Sequence, residues 1–315
     1  MTERQAVAGP DAGLRERPAL LLLLATRPAF LSLTVVGVAV GWAGALHDGA
    51  AWQTGAALAT LLFVLLAHAG ANVINDFHDI ASDARNVDRL YPFTGGSRFI
   101  QEGLLSAQAT HRLGSLLLLS VIPGGLWLVH ASNAGLIWIG LAGLFLAWAY
   151  SAPPLRLSAR GLGEIAIAAG WTLVVIGSDY VLRGTFSSVP SVTGPAFGLL
   201  VAAVLYINQF PDAGADAAAG KATLVVRLGT VRAARLYPAW PLVAACLLTA
   251  GTNGGVISRV TALALLALAP AMRAWHVLIA WVQGRGDLRP AIHSTLLMAH
   301  AFGLLMAASL FYGGD

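Results

Sequence analysis

The chain has 315 residues, of which 57% are hydrophobic and only 11% charged, less than half the roughly 25% charged share of a soluble domain. That composition excludes a water-soluble globular protein and indicates a polytopic membrane protein. The net charge of +4 calls for no nucleic-acid partner, and the single cysteine, Cys246, rules out an intramolecular disulfide.

Residues 1–27 read as a cytoplasmic tail. The apolar stretch Leu20 to Leu24 is interrupted by Arg27-Pro28 with no small-residue cleavage site behind it, so no cleavable signal peptide is expected. Nine apolar runs follow, each able to cross a bilayer core as a helix: about 28–47, 53–75, 113–131, 132–150, 163–182, 192–211, 236–252, 257–282 and 291–312. The predicted fold over 28–315 is an all-α bundle of nine transmembrane helices. Arg4, Arg15, Arg17 and Arg27 lie in the tail, and of the 19 basic residues all but Arg183, Arg259 and Arg273 fall in the tail or in loops after even-numbered spans. Cytoplasmic loops accumulate such residues. The spacing of cations therefore predicts an integral, multi-pass inner (cell) membrane protein with a cytoplasmic N-terminus.

The frame Asn-x3-Asp-x3-Asp occurs twice, as Asn75, Asp79, Asp83 and as Asn208, Asp212, Asp216. Its recurrence at a fixed offset suggests two pseudo-repeated four-helix halves in parallel sense, closed by a ninth helix. Carboxylates at i and i+4 share a helix face, and the first copy extends along that face through His68, Asn72 and Asp76. Like charges on one face repel unless a cation binds them. Two facing stripes, with Asp76, Asp79, Asp83, Asp212 and Asp216 as ligands, make a site for hard divalent cations such as Mg²⁺, and hence for a diphosphate. No Cys/His set has zinc-ligand spacing. Pro211 predicts a kinked or broken helix just before the second pair of acids.

The cytoplasmic loops 76–112 and 212–235, one with Asp88-Arg89, read as ordered caps over this site. Lys221, the only lysine, follows Asp216 by five residues and is a candidate phosphate contact; Arg98, Arg156 and Arg160 are further candidates. Asp179 and Arg183 are spaced to pair. Arg273, His276, His293 and His300 are ionisable groups within spans and are functional suspects for that reason.

The runs Asn72-Val-Ile-Asn-Asp-Phe-His-Asp79-Ile-Ala-Ser-Asp83, Tyr150-Ser-Ala-Pro-Pro-Leu-Arg156 and Asp212-Ala-Gly-Ala-Asp216-Ala-Ala-Ala-Gly-Lys221 resemble the UbiA superfamily of intramembrane prenyltransferases. The continuation Gly220-Lys-Ala-Thr-Leu-Val-Val-Arg-Leu-Gly229 is most similar to the 1,4-dihydroxy-2-naphthoate polyprenyltransferase branch of menaquinone synthesis. Many members of that branch carry arginine before the first aspartate of the second motif, where this chain has Gln209-Phe210-Pro211. The resemblance implies Mg²⁺-dependent transfer of a polyprenyl group from an allylic diphosphate to an aromatic quinone precursor, in contact with membrane lipid. It implies catalytic roles for Asp79, Asp83, Asp212, Asp216 and Lys221. Diphosphate binding would fall to Asn72, Asn75, Asn208, Arg98, Arg156, Arg160 and Lys221. An apolar chamber would shield the allylic cation, with His68, Tyr150 and Tyr206, and further Phe77, Tyr91, Phe93, Trp148 and Trp171, as candidate walls. A terpene cyclase using the same ionisation site without an acceptor, and an ion-coupled transporter, are the alternatives.

Overall fold

The computed structural model describes residues 9–87 and 89–313; Arg4 and Asp88 lie outside them. Every regular element among the described residues is helical. After a 3-10 turn at Ala12–Glu16, the chain forms α1 (Pro18–Ala25), α2 (Pro28–His47), α3 (Thr54–His78), α4 (Ile80–Arg85), α5 (Ala107–Ala131), α6 (Leu136–Ala149) and α7 (Gly163–Arg183). It continues with α8 (Val189–Ala218), α9 (Leu224–Leu228), α10 (Thr230–Leu236), α11 (Ala239–Asn253), α12 (Pro270–Val282) and α13 (Arg289–Tyr312).

Eight stretches among the described residues are long and apolar enough to cross a membrane: α2, α3, α5, α7, α8, α10 with α11, the segment Arg259–Val282 that ends in α12, and α13. The expected span at 132–150 differs. It is the 14-residue helix α6, about 21 Å long, because the turn at Asn133 to Gly135 starts it late and Pro153-Pro154 prevents its continuation.

The second motif also departs from expectation. α8 runs as one continuous helix through Pro195 and Pro211 to Ala218, with Pro211 buried; each proline removes its own N–H and crowds the carbonyl four residues earlier, without ending the helix. The interruption falls in the first motif instead, where Asp79 caps α3 with φ −97° and ψ 8° before α4 restarts.

α2, α7, α8 and α13 build the main core. A Cβ on Gly41 would stand 2.4 Å from the Val175 carbonyl oxygen, and one on Gly198 2.4 Å from that of Ala168. α7 is thus wedged between α2 and α8 at contacts that only glycine allows. At one end of the bundle Arg183 bonds Asp179 and Asp48, each at 2.8 Å, which includes the pairing expected from the i, i+4 spacing. The opposite end carries both Asn/Asp frames.

Candidate active site

The first frame is built where α3 ends. Asn75 Nδ2 donates to Asp79 Oδ2 at 2.8 Å and to Ser151 Oγ at 2.9 Å, so the segment after α6 fixes the amide that fixes the carboxylate. Asn72 donates to the Thr26 carbonyl at 3.0 Å. Asp83 is buried on α4 beneath Gly96. Burial, and next the Asp79 carboxylate, push the Asp83 carboxyl up to about 8.

Asp76 differs from the other acids in its partners. Its Oδ1 bonds Arg27 Nη2 at 2.7 Å, and both oxygens accept from the Ser97 amide at 3.3 Å. The sequence spacing put it on the ligand face, yet the turn at Asp79 parts the two, and Asp76 does not line the cavity. Its partner Arg27, which does line it, was not among the expected site residues; in the sequence it is one more cation before the first span.

In the second frame, Asp212 accepts from Asn86 Nδ2 at 2.5 Å and from the Gly95 amide at 3.2 Å. The first cap loop therefore clasps the second motif. Lys221 joins the frames: its Nζ lies 2.9 Å from Asp79 Oδ2, 3.3 Å from Asp216 Oδ1 and 3.3 Å from Ser82 Oγ. Burial opposes its charge, but Asp79 and Asp216 outweigh burial and hold the ammonium protonated far above the ordinary lysine range. The Asn208 Oδ1 is buried without a hydrogen-bond partner, and its side chain lines the cavity.

Asp79, Asp83, Asp212 and Asp216 line one end of a cavity of about 570 Å³. Among the described residues no three acidic, histidine or cysteine side chains converge to enclose a metal by themselves. An open, all-oxygen set with an unsatisfied amide oxygen beside it fits Mg²⁺, which completes its shell with water and substrate phosphate.

Behind the acids the lining is chiefly apolar. His68 sits deep in it, with Nδ1 2.8 Å from Thr34 Oγ1 and its ring edge-on to Trp171. Of the aromatic candidates, Phe93, Tyr150 and Trp171 line the cavity, joined by Phe30 and Phe63, which sequence reasoning missed. Phe77, Tyr91, Trp148 and Tyr206 do not. Tyr206 is fully buried in the core and donates to the Ala233 carbonyl at 2.9 Å.

Three expected diphosphate contacts are also absent from the lining. Arg98 turns to the Asp83 carbonyl and Glu102. Arg160 is exposed and donates to the Pro154 carbonyl at 2.7 Å, and Arg156 is exposed at the start of a 3-10 turn. Between α5 and α6, the lining residues Ile122, Leu126, Ile137 and Leu141 are also exposed on the outer surface, so the cavity opens sideways.

The model of the UbiA prenyltransferase family matches residues 30–289. The 1,4-dihydroxy-2-naphthoate octaprenyltransferase of Mycobacterium tuberculosis is 30% identical over 299 residues, 91% of this chain and 95% of the relative. That of Escherichia coli is 30% identical over 220 residues, 67% of this chain and 68% of the relative. Among solved structures, an apo UbiA homolog from Aeropyrum pernix K1 shares the fold at 18% identity and a TM-score of 0.68, covering 89% of this chain and 98% of its own. A UbiA homolog from Archaeoglobus fulgidus bound to GPP and Mg²⁺ does so at 17% identity and a TM-score of 0.62, covering 90% and 99%. The chain, with its two Asn/Asp frames lining one end of an intramembrane cavity, belongs to the UbiA prenyltransferase family.

Proposed function

We propose that this protein transfers a polyprenyl group from an allylic diphosphate to an aromatic, naphthoate-type acceptor, with Mg²⁺ as its metal and diphosphate as the leaving product. The observation that carries the reading is Lys221 Nζ, held between Asp79 and Asp216 at the acidic end of a largely apolar cavity. The naphthoate acceptor is supported by the M. tuberculosis and E. coli relatives, whose names specify it.

Asp79, Asp83, Asp212 and Asp216 would hold the metal, which when bound neutralises charge on the departing diphosphate. Lys221 places a permanent ammonium at the same point and stabilises charge as the C–O bond breaks. Asn75, anchored by Ser151, keeps the Asp79 carboxylate aimed, and Asn208 offers its free oxygen to the same cluster. The lining excludes water from the allylic cation, and the faces of Phe93, Tyr150 and Trp171 favour positive charge. The acceptor ring carbon then bonds to the allylic carbon, and the proton it carried passes to the released diphosphate as the ring regains aromaticity. The opening between α5 and α6 lets a long prenyl tail extend into lipid.

The arrangement in the membrane is part of the same reading. α6 serves as a further crossing, giving nine helices in two four-helix halves plus a last one. The hydrogen bond between Ser151 and Asn75 at one end of α6, and the approach of Gly135 to Tyr180 at the other, support it. The concentration of cations at the site end supports a cytoplasmic N-terminus and active site.

The test is purified protein in lipid nanodiscs with Mg²⁺, prenyl diphosphates of graded length and 1,4-dihydroxy-2-naphthoate, read by mass spectrometry. A prenylated acceptor with matching diphosphate release is expected. Turnover to a cyclic hydrocarbon or alcohol without acceptor, or undiminished diphosphate release by both Asp79→Ala and Asp212→Ala, would overturn the reading.

A further inference from the structure

A second concavity, of about 280 Å³, lies between α12 and α13, lined by Arg273, Pro290, His293, Ser294 and Leu297. Arg273 belongs to a membrane-crossing segment and is exposed on its outer face. None of the ion pairs among the described residues includes it. An arginine in a span is costly and finds an anion or carries its charge to the interface. The groove provides that route: it follows α13 from Leu297 to Pro290, roughly 10 Å of helix, and Pro290 stands in the first turn.

We propose that this groove seats the headgroup phosphate of an anionic phospholipid, with the Arg273 guanidinium forked onto its oxygens and His293 and Ser294 as further donors. Arginine suits such an anion because its N–H groups bind two oxygens at once. Charge complementarity favours a lipid over a second copy of the chain. The groove and its surroundings carry Arg273, His276 and His293, and the nearby acid Asp287 is taken by Arg289 at 3.1 Å. A two-fold contact centred on the groove would bring Arg273 onto Arg273.

The site also touches the cap of the catalytic cavity. His293 packs edge-on against Phe93 at 5.2 Å between centroids, and Phe93 lines that cavity two residues before the Gly95 amide that binds Asp212. A seated headgroup therefore braces the loop that clasps the second motif.

Native mass spectrometry of the full chain from phosphatidylcholine nanodiscs, with and without phosphatidylglycerol, tests this. Wild type is expected to retain phosphatidylglycerol in preference to phosphatidylcholine, and Arg273→Leu to retain it about tenfold less tightly, the loss expected for one charge-assisted contact. Arg273→Leu puts an apolar side chain on an outward face, so it is expected to fold, which a melting curve verifies; Arg273→Lys, keeping charge without the fork, should fall between. Equal retention by wild type and Arg273→Leu would overturn the proposal. So would a change in oligomeric state with lipid retention unaltered, which would make the face a contact between copies.

Discussion

Gly96→Ala offers a sharp test of the first motif. Gly96 has φ +74°, and an added Cβ would stand 2.1 Å from Asp83 Oδ2 and 3.3 Å from Arg27 Nη2. Restoring an ordinary 3.4 Å contact asks the carboxylate to retreat by about 1.3 Å, and a misplacement of roughly 1 Å in a reacting site costs about a hundredfold in rate. The left-handed backbone adds about 1–2 kcal/mol of strain for any L side chain. Gly49→Ala isolates that strain, because Gly49 has φ +81° with nothing within 4 Å of its added Cβ. Initial rates of prenyl transfer should be measured against Mg²⁺ and prenyl diphosphate, with melting curves on the same samples. Gly49→Ala should lose the stability that this strain costs and Gly96→Ala at least as much, whereas only Gly96→Ala should lose about two orders of magnitude in kcat/KM. A folded Gly96→Ala protein with wild-type rates would refute the assignment of Asp83 to the metal.

Lys221→Met removes the ammonium between Asp79 and Asp216 and should lower kcat by about 10²–10³, while Arg160→Ala, which loses only an exposed bond to the Pro154 carbonyl, should turn over like wild type in the same steady-state assay. Arg27→Leu strands the buried Asp76 carboxylate and should cost about 3–5 kcal/mol; chemical denaturation should find the Arg27→Leu/Asp76→Leu double variant more stable than the single one. Because the Asp83 carboxyl is raised to about 8, a metal binding at lower pH must displace its proton. Apparent Mg²⁺ affinity, measured by calorimetry, should therefore strengthen from pH 6 to about 8 and level off above; a flat profile would show that Asp83 does not ligate.

Much of the architecture was legible because the information is local. A run of apolar residues declares a membrane helix wherever it occurs, and the Asn-x3-Asp-x3-Asp spacing declares a polar stripe on one helix face. At Pro211 the helix continues where a kink or break was expected, and the span expected at 132–150 is the shorter helix α6, for a related reason. A proline inside a buried helix is sustained by neighbours that a linear reading does not see, and α6 was shortened by turns at both ends.

The site itself divides along the same line. Sequence alone determined the membrane class, the two matched acidic frames, the one lysine beside them and the oxygen chemistry they share, since each depends on residue type and near-neighbour spacing. Tertiary structure alone decided which of those groups face the cavity. It turned the chain at Asp79, gave Asp76 to Arg27 and Ser97, folded Gly95 and Asn86 onto Asp212, sent Tyr206 into the core and carried Lys221 across to Asp79. Contacts between residues far apart in the chain depend on how the helices pack, and packing is a property of all their surfaces together.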